Sequence, residues 1–250
     1  MNRFKFLSAS ASIAAAWALP GSLRSLHNRQ LPVKAILFDA FPVFDPGNVF
    51  SSAIRMFPEK GPELVREWRA RQFEYTWLRT ISGNYVDFLT VTSDALRYAC
   101  QLLKVEISEP QQQQLMDEYY RLRTWPEVAA TLARLRAAGY RLGMLSNFTP
   151  EMMRINMNNC KISTHFEHLL SVDPIKRYKP DPLTYQMGMD VFGLAKEEIL
   201  FVPFAGWDAA GSKNFGYRTF WVNRLQTPPE RLGPLPDGEG KDLNDLVRYL

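Results

Sequence analysis

The chain has 250 residues, 46% of them hydrophobic and 22% charged, which is ordinary for a globular protein with one substantial core. The formal net charge is +4, but residues 1–30 carry four basic residues and no acidic one, so the remainder is neutral overall. No later cluster of Lys and Arg alternates with aromatic residues, which argues against a nucleic-acid partner.

The N-terminal segment predicts an export signal. Basic residues Arg3 and Lys5 precede an apolar, Ser- and Ala-rich run over residues 6–19, and Pro20 follows. This order is typical of a secretory signal, and the run is too short for stable insertion into a membrane. We therefore expect a periplasmic or otherwise exported protein, the alternative being a cytoplasmic protein with a disordered N-terminal tail.

The first predicted strand is Val33–Phe38, a short apolar run typical of a buried parallel strand. Asp39 follows it directly, and Pro42 lies just beyond. Open α/β sheets bind their ligands at the carboxyl ends of their strands, so Asp39 is a candidate functional residue.

Residues 48–123 predict helices with no strand between them. Their apolar residues recur at three- and four-residue steps in Glu63–Thr80, Tyr85–Leu103 and Glu109–Leu122. Helices inserted after a first strand indicate a helical cap domain over 48–123, with the core formed by 31–47 and 124–250.

The two cysteines give neither a disulfide framework nor a metal-ligand spacing. Cys100 falls in a predicted helix, which favours a buried thiol. Whether Cys100 and Cys160 pair is left open, because a disulfide requires the two residues to meet in the fold.

After the cap, short apolar runs alternate with helical patterns. The predicted strands are Tyr140–Leu145, His168–Val172, Ile199–Val202 and Arg218–Val222. The predicted helices are Val128–Ala138, Thr149–Asn159, Pro182–Phe192, Ala209–Phe215 and, after a loop over Gly233–Lys241, a C-terminal helix ending at Leu250. This alternation predicts an α/β fold with a doubly wound, Rossmann-like parallel sheet.

Polar residues recur at the predicted strand ends: Asp39, Ser146 with Asn147, Lys179 and Asp208. Each has an ordinary structural explanation, since Asp often caps a helix and Lys-Pro-Asp often forms a turn. Their recurrence is more informative, because the carboxyl ends of parallel strands open on one edge. We expect these side chains to converge there.

Four segments carry a family resemblance: Phe38-Asp39, Leu145-Ser146-Asn147, Tyr178-Lys179-Pro180-Asp181 with Tyr185, and residues 206–211. Together and in this order they resemble the four motifs of the haloacid dehalogenase superfamily. Residues around Trp68 and Arg69 resemble cap helices of its L-2-haloacid dehalogenase (type II) branch. The likeness extends over residues 33–225.

The resemblance implies hydrolytic dehalogenation of small 2-haloalkanoic acids, of the L (S) configuration, to 2-hydroxy acids. Asp39 would displace the halide and become esterified, Lys179 would hold Asp39 ionised, and Asp208 would activate water. Arg69, from the cap, would meet the halide or the substrate carboxylate. The implied substrate-binding residues are Ser146, Asn147, Phe41, Phe88, Tyr185 and Trp207. The resemblance also implies a homodimer through the cap helices.

Phosphatases of the same superfamily provide a contrast. They carry a second acid two residues after the nucleophile and use Mg²⁺ to neutralise phosphate charge. Here that position is Phe41, and Trp207 precedes Asp208 where a second acid would be needed. A halide leaves without a proton, so we expect no metal and no cofactor.

Three positions depart from the type II pattern. Val43 replaces a threonine expected to hydrogen-bond the nucleophile, and Pro203 and Ala205 replace a serine and an asparagine expected near the lysine and the water. We therefore expect these replacements to slow ester hydrolysis more than the attack by Asp39. The alternatives are another hydrolase on this scaffold, phosphatase-like, or an exported small-acid-binding homologue with impaired turnover.

Overall fold

The computed structural model describes residues 32–250, and a six-stranded parallel sheet forms the centre of this part of the chain. The sheet order is β5-β4-β1-β6-β7-β8. The strands are β1 (Ala35–Phe38), β4 (Arg141–Ser146), β5 (His168–Ser171), β6 (Ile199–Val202), β7 (Arg218–Val222) and β8 (Gly238–Gly240). The predicted α/β class and doubly wound parallel sheet are confirmed.

Strand β1 lies in the middle of the sheet, and all four of its residues are fully buried. Its last residue, Phe38, is in register with Met144 of β4 and Val202 of β6. The backbone N–H of Asp39 donates to the carbonyl of Val202 at 3.0 Å. Asp39 therefore lies at the centre of the carboxyl edge, with a neighbouring strand on each side.

Helices flank the sheet, and their caps follow from the sequence. They are α1 (Ala40–Val43), α6 (Val128–Ala137), α7 (Pro150–Asn159), α8 (Pro182–Phe192), α9 (Gly206–Phe215) and α10 (Leu243–Tyr249). Thr149 and Asp181 accept backbone N–H groups at the starts of α7 and α8, and Gly193 ends α8 with a left-handed backbone.

Four helices form the cap region: α2 (Gly47–Met56), α3 (Gly61–Ser82), α4 (Phe88–Leu102) and α5 (Glu109–Asp117). They lie in the chain between β2 (Phe44–Asp45) and β3 (Arg123–Thr124), which pair antiparallel. The chain thus enters and leaves the cap through one short ribbon. The domain boundaries predicted at residues 48 and 123 stay predictions, although the helical cap itself is present.

Three sequence expectations differ from the structure. The predicted loop Gly233–Lys241 contains strand β8, which pairs with β7. This strand has only three residues, two of them glycine, so its sequence does not indicate a strand. Helix α2 was not recognised as a separate helix. Asp208 does not end a strand but lies in the first turn of α9, which begins at Gly206, before the predicted start at Ala209.

Both cysteines are free thiols, so the open question of a disulfide is settled against one. Cys100 is buried as expected, and burial raises the pKa of its thiol to about 11. Within residues 32–250, no helix is long and apolar enough to cross a membrane. The predicted export signal lies outside the described residues.

Candidate active site

Three charged side chains meet at the carboxyl edge of the sheet. The Nζ atom of Lys179 lies 2.7 Å from Oδ1 of Asp39 and 2.6 Å from Oδ2 of Asp208. Lys179 and Asp208 are each 1% exposed, and Asp39 is 8% exposed. The predicted convergence of these residues is therefore found, with one ammonium group shared between two carboxylates.

The backbone after β1 holds the carboxylate of Asp39 in place. Asp39 is the N-cap of α1, and its Oδ2 atom accepts a hydrogen bond from the N–H of Phe41 at 3.3 Å. The carbonyl of Phe41 in turn accepts from the indole N–H of Trp125 at 2.9 Å. Asp39 thus does cap a helix, and the same cap orients its carboxylate.

Lys179 lies in the segment between β5 and α8. The sequence predicted it at a strand end, but β5 ends at Ser171, well before it. The backbone N–H of Lys179 donates to Oδ1 of Asn147 at 3.1 Å, while Asp181 caps α8. Asn147 follows β4, so this hydrogen bond ties the carboxyl end of β4 to the segment that carries Lys179. In this motif Asp181 has the structural role and Lys179 supplies the buried charge.

Asp208 is held from both sides. Its Oδ1 atom accepts a hydrogen bond from the hydroxyl of Tyr185 at 2.6 Å, and its Oδ2 atom faces Lys179. Tyr185 is fully buried, and it is absent from the residues that line the cavity. This placement favours a role for Tyr185 in positioning Asp208 over the predicted contact with substrate.

Burial and charge shift the ionisation of this cluster. Burial raises the pKa of Asp208 to about 6; Lys179 opposes the shift and the negative charge of Asp39 adds to it. Burial alone would lower the pKa of Lys179, but the charges of Asp208 and Asp39 outweigh it and raise the pKa. Burial beside Asp208 raises the pKa of Tyr185 well above its ordinary value. Lys179 therefore stays cationic, and Asp208 exchanges a proton near neutral pH.

A cavity of about 210 Å³ opens between this cluster and the cap. All of the predicted site residues except Tyr185 line it: Asp39, Phe41, Arg69, Phe88, Ser146, Asn147, Lys179, Trp207 and Asp208. A cavity of this size, largely apolar and lined by a few polar groups, suits a small organic molecule.

Arg69 lies across the cavity from the lysine cluster. Its guanidinium carbon lies 4.7 Å from the ring centroid of Phe50, and no carboxylate of the described residues forms a salt bridge with it. Burial lowers the pKa of Arg69, and the nearby Tyr119 opposes that shift. A half-buried guanidinium without a carboxylate partner is complementary to an anion in the cavity.

Sequence reasoning missed several residues that line the cavity, among them Gln72, Phe73, Tyr119, Phe148, Asn223 and Glu230. Gln72 and Phe73 follow Arg69 by three and four residues on α3, so helical spacing from Arg69 would have identified them. Tyr119 and Glu230 come from a 3₁₀ turn and a loop, and no local pattern marks them.

The three departures from the family pattern lie in α1, after β6 and at the start of α9. Val43 is fully buried in α1, and Pro203 is buried after β6. Ala205 lines the cavity and is the N-cap of α9, where it supplies no side-chain hydrogen bond. Apolar groups thus stand at all three positions where a polar support was expected. Among residues 32–250, no group of three or more His, Cys, Asp or Glu side chains is arranged to hold a metal ion.

Comparison with known proteins places this geometry in a family. Relatives include haloacetate dehalogenase H-2 of Moraxella sp. (strain B), 39% identical over 82% of this chain and 92% of that protein. The (S)-2-haloacid dehalogenase of Pseudomonas sp. (strain YL) is 38% identical over 86% of this chain and 93% of that protein.

The chain is also similar to a solved structure. It is the L-2-haloacid dehalogenase of Xanthobacter autotrophicus with chloropropionic acid covalently bound, with a TM-score of 0.80 and 32% identity over 87% of this chain and 98% of that one. The family model described as haloacid dehalogenase-like hydrolase matches residues 33–216. The chain therefore belongs to the haloacid dehalogenase-like hydrolases.

Proposed function

We propose that this protein hydrolyses small 2-haloalkanoic acids of the (S) configuration to 2-hydroxy acids, through an ester on Asp39. One observation carries the proposal: Asp39 and Asp208 share the ammonium of Lys179 on one side of a small cavity, and Arg69 lines the same cavity without a carboxylate partner among residues 32–250. This arrangement offers a nucleophile, a base and an anion site to one small acid.

In the first half-reaction Asp39 attacks the α-carbon of the substrate. A new C–O bond forms to the carboxylate oxygen while the C–halogen bond breaks and the halide leaves with the electron pair, inverting the carbon. Oδ1 of Asp39 is paired with Lys179, whereas Oδ2 accepts only the longer 3.3 Å bond from Phe41. Oδ2 is therefore the oxygen better placed to attack.

In the second half-reaction water cleaves the ester. Asp208 takes a proton from the water as it attacks the carboxyl carbon of Asp39. The acyl C–O bond then breaks, Asp208 returns the proton to the departing alkoxide oxygen, and the 2-hydroxy acid leaves, while the regenerated carboxyl group of Asp39 loses its proton to solvent.

Burial raises the pKa of Asp208, to about 6 while Asp39 is ionised, and loss of the Asp39 charge in the ester lowers it again. Asp208 is therefore ionised at neutral pH and, because it is buried, basic enough to accept a proton. Each oxygen of Asp208 already accepts one hydrogen bond, which leaves capacity for the water.

The relatives named above act on haloacetate or (S)-2-haloacids, and this supports the substrate class. The phosphatase alternative is weakened because Phe41, two residues after Asp39, can neither protonate a leaving oxygen nor bind a metal. We therefore also propose that the reaction needs no metal ion. The binding-protein alternative predicts capture of one substrate molecule and no turnover.

Chloride release from (S)- and (R)-2-chloropropionate tests the proposal. The (S) isomer should release chloride continuously and the (R) isomer should not, with the same rate in the presence of EDTA. Asp39→Asn, which keeps the size of the side chain, should abolish release. Activity that depends on Mg²⁺ would favour the phosphatase, and a single equivalent of chloride would favour the binding protein.

Two further parts of the proposal concern assembly and location. A homodimer through the cap is supported by exposed apolar side chains on α3, namely Leu78 at 58% and Ile81 at 84% exposure. Light scattering should give the mass of a dimer, and Ile81→Lys should give a monomer. Export is supported by the signal pattern of residues 1–20, and N-terminal sequencing of the protein from a periplasmic fraction tests it.

A further inference from the structure

Tyr119 is a buried phenol in the wall of the cavity. Its residue is 1% exposed, and its ring packs edge-on against Trp68 and Phe88, with centroids 6.2 Å away in both cases. These contacts fix the ring, so the hydroxyl has little freedom except rotation about its C–O bond. Arg69 is close enough to lower the pKa of Tyr119, although burial outweighs this and raises the pKa to about 12. Tyr119 therefore stays protonated and can donate.

A chain of hydrogen bonds fixes which way Tyr119 donates. Thr92 donates its hydroxyl proton to the carbonyl of Phe88 at 2.6 Å, so its Oγ1 atom must act as acceptor toward Gln72. The amide nitrogen of Gln72 occupies that position at 2.6 Å and also reaches the hydroxyl of Tyr119 at 3.3 Å. An amide N–H group can only donate, so the oxygen of Tyr119 is the acceptor.

The proton of Tyr119 consequently has to be donated elsewhere. Within residues 32–250 no protein group accepts a hydrogen bond from this hydroxyl. Tyr119 and Gln72 both line the cavity, where a ligand or water can be the acceptor. A buried donor left without an acceptor is destabilising, so such donors are normally satisfied by a ligand or water. Tyr119 and Arg69 line the same cavity, and the charge of Arg69 is close enough to lower the pKa of Tyr119.

We propose that the hydroxyl of Tyr119 donates a hydrogen bond to the leaving halide beside Arg69, and that Thr92 and Gln72 keep it oriented as a donor. The halide is favoured over the substrate carboxylate because Ser146 and Asn147, together with nearby backbone N–H groups, are placed to take the carboxylate on the sheet side. This inference rests on the proposed dehalogenation.

Tyr119→Phe tests the donor directly, because it keeps the ring packing and removes only the hydroxyl. We expect kcat/KM to fall about tenfold with (S)-2-chloropropionate and clearly less with (S)-2-bromopropionate, since chloride accepts hydrogen bonds more strongly than bromide. Tyr120→Phe is the matched control, because Tyr120 does not line the cavity. An equal fall with both substrates, or no fall, overturns the proposal.

The relay has its own test. Thr92→Val keeps the shape of the fully buried side chain and removes the acceptor that orients Gln72. We expect a smaller loss with the same chloride-over-bromide pattern, restored by Thr92→Ser, which keeps a hydroxyl. A loss in Thr92→Val that does not depend on the halide would contradict the relay.

Halide binding separates this inference from the proposed function. Chloride is titrated into the unmodified protein, Tyr119→Phe and Tyr120→Phe, with the intrinsic tryptophan fluorescence as a signal, since Trp207 lies in the cavity wall. We expect the Kd for chloride to rise several-fold in Tyr119→Phe alone. If no haloacid is turned over, the proposed function fails, and this titration still decides whether Tyr119 binds halide; an unchanged Kd means that it does not.

Discussion

The sheet side and the cap side of the cavity treat charge in opposite ways. On the sheet side the Lys179 cation lies between two carboxylates, each within 2.7 Å, and Tyr185 completes the hydrogen bonding of Asp208. On the cap side Arg69 has no carboxylate partner among the described residues and rests on the ring of Phe50. On the sheet side each charged group has a partner of opposite charge without a ligand, whereas on the cap side Arg69 has none among the described residues.

This difference separates two tasks of an active site. The completed side keeps Asp39 and Asp208 in fixed positions, so no reorganisation is needed when the reaction begins. The incomplete side leaves the desolvation of Arg69 uncompensated, and an anionic substrate or product compensates it on binding. Changes on the sheet side should therefore affect the protein even without ligand, whereas changes on the cap side should appear chiefly when an anion binds.

The largest effect is expected from Lys179→Met, which leaves two buried carboxylates without their shared cation. Chloride release should be lost, and the free energy of unfolding should fall by about 3–5 kcal/mol because one partner of a buried ionic cluster is missing. Urea unfolding measures the second effect. Lys176→Met is the control, since Lys176 pairs with Asp173 at the surface. Unchanged stability in Lys179→Met would mean that the sheet side is not an electrostatic unit.

Arg69→Ala should give the converse result. We expect kcat/KM to fall about 100-fold, as when one stabilising donor is removed from an active site, while the unfolding midpoint stays the same or rises. Arg66→Ala is the matched control: it lies three residues earlier on α3 and is exposed to solvent. If Arg69→Ala destabilised the fold as strongly as it impaired turnover, the cation would be structural and the contrast between the two sides would be lost.

The sheet side could be predicted from the sequence far better than the cap side. Asp39 follows one apolar strand and Ser146 is the last residue of another, and parallel strands bring their ends together by topology alone. Lys179 and Asp208 were also identified, although they lie in a loop and in the first turn of α9. The exact positions of these two side chains depend on how α8 and α9 pack, and no local sequence pattern predicts that packing.

The cap side depends on how helices pack, and a helical period does not specify which face meets the sheet. Arg69 was found through family resemblance, whereas Tyr119, distant in the chain, was missed because its position depends on contacts with Trp68 and Phe88. Strand β8 was missed for a related reason: Gly238-Glu239-Gly240 has no strand propensity and forms by pairing with β7.

The pH dependence of turnover should report the sheet side. Asp208 acts as a base only when ionised, so ester hydrolysis should fall as the pH drops through the pKa of its buried carboxyl group. That pKa is about 6 while Asp39 is ionised, and it is lower in the ester, because esterification removes the negative charge of Asp39. The hydrogen bond from Tyr185 stabilises the ionised form; Tyr185→Phe should therefore move this acid limb to higher pH. The measurement is kcat against pH.

Tyr217→Phe provides the control for that profile. It removes an equally buried hydroxyl, which donates to the backbone carbonyl of Tyr185 and does not contact Asp208. Its acid limb should stay where it is in the unmodified protein. An identical shift in both variants would assign the effect to packing around Tyr185 instead of to the hydrogen bond on Asp208.

The smallest effect concerns a place where the sheet side is less polar than the family pattern. Ala205 is the N-cap of α9, makes no side-chain capping hydrogen bond and lines the cavity near Asp208. Ala205→Asn should stabilise the protein by about 1 kcal/mol through helix capping and accelerate ester hydrolysis a few-fold by supplying a hydrogen bond to the water. Thermal unfolding and single-turnover decay of the ester measure the two gains separately.

Ala205→Ser separates capping from support of the water, because serine also caps a helix but has a shorter side chain. We expect a similar rise in Tm from Ser and Asn, with faster ester hydrolysis only for Asn. If neither variant hydrolyses the ester faster while both unfold at higher temperature, Asp208, Lys179 and Tyr185 already suffice for the water. The sheet side would then be chemically as well as electrostatically complete, and Ala205 would be a neutral departure from the family pattern.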